Sequence, residues 1–369
     1  MNTPSREQIE NCGTSVVVRF PGPRKVLSTS WLNGGYRADL QGVFNHQIPR
    51  DACEACHSGG NILEYLGSVA RDLGLDPETV SGMVTRADMK NTVMGSKTFR
   101  DLTVTAVVTA GIDKNGGRAG DPASYYEHGD SFEPLGGTIN TILLIGADLP
   151  EYTMARAIMT ATEAKAATLQ QLVARSLYST GIATGSGTDM IVIVSDPASP
   201  LRLSDAGKHS VLGELIGKTV IQAMLAALEK ETGLSPDSQR DALVRLQRYR
   251  VTREDLWDAA AKTAGTDPPS RVNRKLFYQY LDVLAKRPAV VALVAAALHI
   301  VDEAEWGLIS RTEACDAVCH ILRGTTWADG SPCAETDPLQ NVNGMLASHV
   351  VDTIRRDDRC VQRETDTGH

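Results

Sequence analysis

The chain has no uninterrupted apolar run long enough to cross a membrane. Its longest, residues 289–300, falls short of the roughly 20 residues a span needs and reads as a buried helix. It also lacks a basic surplus, with a formal net charge of −8. A general nucleic-acid binder needs a basic face to neutralise phosphate, so no nucleic-acid partner is expected. The opening residues, Met1-Asn2-Thr3-Pro4-Ser5-Arg6-Glu7, are polar and carry no signal-peptide core. The expectation is a cytoplasmic protein with no membrane partner. Seven cysteines is an odd number, and without an export signal a disulfide framework is not expected. There is no internal repeat and no low-complexity tract.

What is present is room and pattern. A length of 369 residues accommodates two domains at roughly 100–200 residues each. Hydrophobic content of 42% and charged content of 22% suit an ordinary globular protein. The first half alternates strand-like and helix-like segments. Residues 16–20 and 24–27 read as strands joined into a hairpin by Pro21-Gly22-Pro23. Residues 103–110, rich in Val and Thr, read as a strand, as do the apolar runs 139–145 and 190–194.

Helical patterns separate these strands. They cover residues 62–73, a start at Asp76-Pro77, residues 153–175 and residues 211–228. The fold class expected is α/β, a mixed sheet with covering helices, plus an all-helical C-terminal region. The character changes near Glu231. Ser235-Pro236 reads as a cap with a first-turn proline, and Thr252 with Asp255 and Ser310 with Glu313 as capping pairs. Residues 1–232 are taken as the α/β domain and 233–369 as the helical region. Arg271, Arg274, Lys275, Lys286 and Arg287 read as a solvated basic face.

Polar, small-residue motifs sit at the joints of the α/β part, where a rigid scaffold holds chemistry. They are Gly136-Gly137-Thr138-Ile139-Asn140, residues 160–165 (TATEAK), residues 181–189 (GIATGSGTD) and Gly207-Lys208-His209-Ser210. The loop at 184–189 leads into a strand, so it is not a nucleotide fingerprint, which leaves a strand and opens a helix. Its glycines allow close backbone approach, and its successive N–H groups suit an anion nest. A tight helix-to-strand connection is the alternative. Glu163 on its helix either faces solvent or projects into a cleft as a base, and Lys165 has the same two readings. His209, at a loop-to-helix junction, is either a surface histidine or a proton-transfer group.

Cys53-Glu54-Ala55-Cys56-His57 has haem-attachment spacing, which normally works outside the cytosol. Cys53, Cys56 and His57 also suit zinc, with Cys315, Cys319 and His320 as distant ligands, although buried or surface thiols are the default. No metal site and no cofactor are expected.

The order and wording of these blocks resemble the adenosylcobinamide amidohydrolases, the CbiZ family of corrinoid salvage enzymes. The resemblance covers roughly residues 15–230. Its early part includes Ser28-Thr29-Ser30, Asn33-Gly34-Gly35 and Asn45, and its middle includes residues 104–111 and Ala119-Gly120-Asp121. It implies hydrolysis of the amide joining a corrin propionyl side chain to aminopropanol, giving adenosylcobyric acid. Adenosylcobinamide is then the expected partner.

Amide hydrolysis needs an activated water or nucleophile, donors for the oxyanion and an acid for the leaving amine. Glu163 or Asp189 is the expected water activator and His209 the expected acid. Backbone groups at Gly185, Ser186 and Gly187 are the expected oxyanion donors. Thr138, Asn140, Thr184 and Thr188 are expected to orient the amide, with Lys165 also binding substrate. No serine-elbow motif is present, so activated water is expected over a covalent route through Thr188 or Ser186.

The segment around Cys53–His57 departs from the family pattern, and the helical region lies outside it. Docking a partner, forming a homo-oligomer and covering the corrinoid are the roles open to that region. A non-catalytic corrinoid-binding protein is the competing function, and a metal or redox sensor is the third.

Overall fold

A computed structural model describes residues 6–49, 62–123, 138–263, 273–323 and 337–366, with the side chains of the last stretch described up to residue 356. The chain divides into two compact units, Met1–Ser235 and Pro236–His369. The first unit contains β1 (Gln8–Asn11), β2 (Ser15–Arg19), β3 (Lys25–Ser28), β4 (Gly35–Arg37) and β5 (Gly42–Gln47). Then come α1 (Ile62–Asp72), β6 (Val80–Thr85), β7 (Val93–Phe99), β8 (Leu102–Gly111) and β9 (Gly116–Gly117). It ends with β10 (Thr138–Ile145), α2 (Glu151–Gln171), β11 (Gly185–Ser186), β12 (Met190–Ser195) and α3 (Val211–Thr232).

These strands make a six-stranded sheet of order β4-β3-β12-β10-β8-β7, a four-stranded sheet of order β1-β2-β5-β6, and a ribbon of β11 with β9. In the six-stranded sheet β10 and β12 are parallel, with α2 in the connection between them, and the other pairs are antiparallel. Side chains alternate across each strand. Val104, Ala106 and Val108 of β8, with Ile139 and Leu143 of β10, face α2 and α3 in one core. Val107, Ile142, Leu144 and Val192 face the four-stranded sheet and α1 in a second core, with Val18, Phe44, Met83 and Leu66. The layers therefore run helix pair, sheet, sheet, helix. Gly82 is required where the sheets meet, because a Cβ there would lie 2.2 Å from the Phe44 ring.

The expected mixed sheet with covering helices is present, with three local corrections. The strands around Val17 and Val26 do not form a hairpin. Pro21-Gly22-Pro23 carries the chain from one sheet to the other, because β2 pairs with β1 and β5 while β3 pairs with β12 and β4. Asp76-Pro77 opens a single 3₁₀ turn, Pro77–Thr79, and no longer helix. The Asp76 cap is real, but Val80 already enters β6, where extended pairing with β5 overrides the start signal. α2 stops at Gln171, since Val173 takes a positive φ of 49°.

Among the described residues one helix, α3, is long and apolar enough to cross a membrane, with a mean hydropathy of 1.5. It packs on β7, β8 and α2. Counting unbroken apolar runs misses it because Lys218 and Gln222 interrupt the sequence.

The described secondary structure of the second unit is helical: α4 (Ala242–Leu246), α5 (Arg253–Thr263), α6 (Arg274–Leu284), α7 (Pro288–Glu305), α8 (Arg311–Arg323) and α9 (Pro338–Asp366). Both expected capping pairs form. The Thr252 amide donates to Asp255 at 2.7 Å, and the Ser310 amide to Glu313 at 2.7 Å. Ser235-Pro236 instead begins a turn, and the next helix is capped by Asp241, which accepts from the Leu243 amide. Phe277, Leu281, Val294 and Leu346 centre the core. Beside it, Arg248 donates two hydrogen bonds to Asp302, at 2.6 and 2.7 Å, and both residues are nearly fully buried.

Candidate active site

Helix α2 carries the chemistry of two separate places. Its buried line runs through Met154, Ala157, Ala161, Ala164 and Thr168. At about 100° per residue, Lys165 leaves the helix on one flank of that line and Glu163 on the other.

On the Lys165 flank the side chain meets Asp189, the residue before β12. Lys165 Nζ makes an ion pair with Asp189 Oδ2. The Ser186 amide donates to the same oxygen at 3.0 Å. Asp189 Oδ1 accepts from Ser186 Oγ at 2.5 Å and from the Ile139 amide at 3.1 Å. Both carboxylate oxygens are thus occupied, and the pair is only 12% and 10% exposed.

Gly185 makes the approach possible. A Cβ there would lie 2.3 Å from Asp189 Oδ2 and 2.7 Å from Lys165 Nζ. Thr138 and Thr188 share a hydroxyl hydrogen bond of 2.8 Å. Thr184 accepts from the Ala119 amide at 2.9 Å. Behind the ribbon, Asp121 accepts from Ser176 Oγ at 2.5 Å and from the Arg118 amide at 2.7 Å. Burial pushes its carboxyl up, but the serine and backbone hydrogen bonds outweigh burial and hold it below the usual range.

On the Glu163 flank lies an open cleft of about 570 Å³. Its walls are α2, through Arg156, Met159, Thr160 and Glu163, and the turn before α3, through Asp205, Gly207, Lys208 and His209. Lys208 Nζ meets Glu163 Oε2 at 2.5 Å, and both side chains are more than half exposed. The turn is fastened to both helices. Thr160 donates to the Ala206 carbonyl at 2.8 Å, and Ser210 caps α3 by accepting from the Gly213 amide at 3.0 Å. A Cβ at Gly213 would sit 2.0 Å from the Gly207 carbonyl oxygen, so only glycine lets the turn lie on the helix start.

The residues expected from sequence are therefore divided. Glu163 and His209, 46 positions apart in the sequence, line one cleft. Asp189 gathers Lys165 and Ser186, close to Gly185 and beside the Thr138–Thr188 pair. Gly187 is exposed on the same loop. Asn140 faces the four-stranded sheet, where its Nδ2 donates to Asn45 Oδ1 at 2.7 Å and to the Val84 carbonyl at 2.8 Å. Asn45 in turn donates to Thr109 at 2.9 Å, so this network joins the two sheets.

Ser28, Ser30 and Asn33 also serve the scaffold. Asn33 Nδ2 donates to the Pro77 and Val80 carbonyls, at 2.7 Å each. Sequence reasoning missed Arg156, Asp205 and Lys208. Lys208 adjoins His209, and Arg156 lies two helical turns before Glu163 on the same face, so helical spacing held the signal.

Among the described residues no three His, Cys, Asp or Glu side chains gather as a metal site. Cys53, Cys56 and His57 lie outside the described residues. Cys319 is disulfide-bonded, against the expectation of reduced thiols, and this removes it as a metal ligand. Sequence spacing does not reveal which cysteines the fold brings within bonding reach. Cys12 carries a free, exposed thiol.

An α/β scaffold that sets a carboxylate, an ammonium and an imidazole around one open cleft has the groups that amide hydrolysis calls for. The chain belongs to the adenosylcobinamide amidohydrolase (CbiZ) family, whose model matches residues 1–236. An uncharacterized protein of Methanocaldococcus jannaschii is 33% identical over 229 residues, which is 59% of this chain and 86% of that protein. An adenosylcobinamide amidohydrolase of Methanosarcina mazei is 29% identical over 216 residues, 56% of this chain and 92% of that protein. A crystal structure of a Pyrococcus horikoshii protein aligns with a TM-score of 0.30 at 14% identity, over 61% of this chain and 79% of that one.

Proposed function

We propose that the protein hydrolyses the amide of adenosylcobinamide, giving adenosylcobyric acid and aminopropanol, and that it serves corrinoid salvage. The family match supports the reaction class. The placement of Glu163 and His209 in one cleft carries the site assignment. In this reading residues 1–232 hold the reaction, and the helical region is accessory to it.

Glu163 takes a proton from a water bound in the cleft, and the resulting hydroxide attacks the amide carbonyl carbon. The carbonyl oxygen becomes an oxyanion facing the Lys208 ammonium. On collapse the carbon–nitrogen bond breaks, and His209 supplies the proton that the departing aminopropanol nitrogen takes. Asp189 is set aside as the base because four donors already occupy its oxygens. Its role here is to position Lys165 and the 184–189 loop against α2.

The test is incubation of purified protein with adenosylcobinamide, followed by mass spectrometry for adenosylcobyric acid, with and without chelator. Product in both arms is expected. Corrinoid bound without product in either arm would move the assignment to a non-catalytic corrinoid-binding protein. Product only in the absence of chelator would replace the metal-free route with a metal-assisted one.

A further inference from the structure

One surface beside the cleft is not used by the chemistry above. Tyr152 and Met159 are 59% and 63% exposed, the highest values among the exposed large hydrophobics of the first unit. Both lie on α2, seven residues apart, which is almost two full turns and puts them on one face. Arg156 lies between them on that face, and Glu163 follows Met159 by four positions. Tyr152, Arg156, Met159 and Glu163 thus form one stripe, in which two apolar bodies alternate with two charges. From end to end it spans about 16 Å at 1.5 Å per residue.

The stripe runs into the cleft, because Arg156, Met159 and Glu163 are all wall residues. Across the cleft Asp205 meets Arg156 at 3.3 Å. A small amide substrate would occupy only the Glu163 end and leave the two large apolar side chains in water. An aromatic ring and a thioether on one exposed helix face suit a broad, flat apolar ligand, the thioether adapting to its shape. The Arg156–Asp205 pair offers a donor and an acceptor to amide groups around such a ligand's rim.

Resting on the reaction proposed above, we infer that Tyr152 and Met159 form a shelf on which the corrin ring lies, with Arg156 and Asp205 meeting its peripheral amides, so that the scissile amide reaches Glu163. The shelf makes these residues determinants of substrate size. A small N-alkyl amide lacking the macrocycle gains nothing from them.

The experiment compares Tyr152→Ala, Met159→Ala and the double variant with the parent protein. Two readouts are taken on each: adenosylcobinamide binding, by corrinoid absorbance after equilibrium dialysis, and hydrolysis, by mass spectrometry. Met94→Ala, an exposed methionine on β7, is the control. Each shelf variant is expected to weaken Kd and raise KM by about ten-fold, the scale of losing one well-buried apolar side chain, and the double variant by more. The control is expected to match the parent.

Unchanged Kd in the double variant, with the parent binding normally, overturns the shelf. Weakened Kd in the shelf variants, with a parent that binds but does not hydrolyse, keeps the shelf and sinks the reaction. A parent that binds no adenosylcobinamide overturns both.

Discussion

The two flanks of α2 hold carboxylates in opposite circumstances. Asp189 is nearly enclosed, paired with an ammonium and saturated by three further donors. Glu163 stands half in solvent with one cationic neighbour and an imidazole on the facing wall of the cleft. An enclosed, saturated carboxylate has no lone pair left for water, and its partners lose much if it is removed. An open one contributes little to folding and keeps the freedom to take a proton. Environment rather than residue type separates a strut from a base.

Glu163→Gln is expected to lower kcat by about 10²–10⁴-fold in the adenosylcobinamide assay, the usual worth of a general base. Its midpoint of thermal unfolding should barely move, because an exposed ion pair is worth about 0–1 kcal/mol. A kcat within a few-fold of the parent would end the assignment of Glu163. Asp189→Ala should show the reverse emphasis. It leaves a buried lysine and two amide donors unpaired, so denaturant unfolding is expected to report a loss of about 3 kcal/mol. If stability holds and only activity falls, the strut reading fails.

His46 is another enclosed polar group. Its ring accepts or donates at 2.7 Å with Ser15 and at 2.9 Å with Tyr65, and burial lowers its pKa. A histidine with a depressed folded pKa binds a proton more readily once unfolded. Its contribution is therefore whole above the unfolded value of about 6.5 and drains away as the pH falls below it. Denaturant midpoints measured from pH 7.5 to 5 should decline, and His46→Gln should flatten that slope. An identical slope in the variant would place the titration elsewhere.

Much of this molecule was legible in its sequence. The apolar runs that became β8, β10 and β12 are buried on both faces, and such strands announce themselves by composition. β5 and β6 were not read. Their Asn45, His46, Ser81 and Gly82 look like loop chemistry until the second sheet and Phe44 supply their partners. The candidate site was legible as a set of residues and not as an arrangement. Glu163 and Lys165 are neighbours in the text, yet a helix turns them to opposite flanks. Asn140, from the same motif as Thr138, is taken up by hydrogen bonds between the two sheets. The cleft had no signature of its own, because it is made by a helix wall and a turn that meet only once Thr160 reaches Ala206.

That last contact gives α2 a tether on each side. Ala206 holds one flank, and Asp189, itself fastened to the Ile139 amide of β10, holds the other. The helix behaves as a beam clamped between a turn and a strand. Its rotation about its own axis, and hence the aim of every side chain it presents to the cleft, is set by anchors that never touch the reacting groups. Loosening the strand end of that clamp would spread the directions in which Glu163 points, a defect that time-averaged distances hide and that the scatter of single-molecule turnover times would expose.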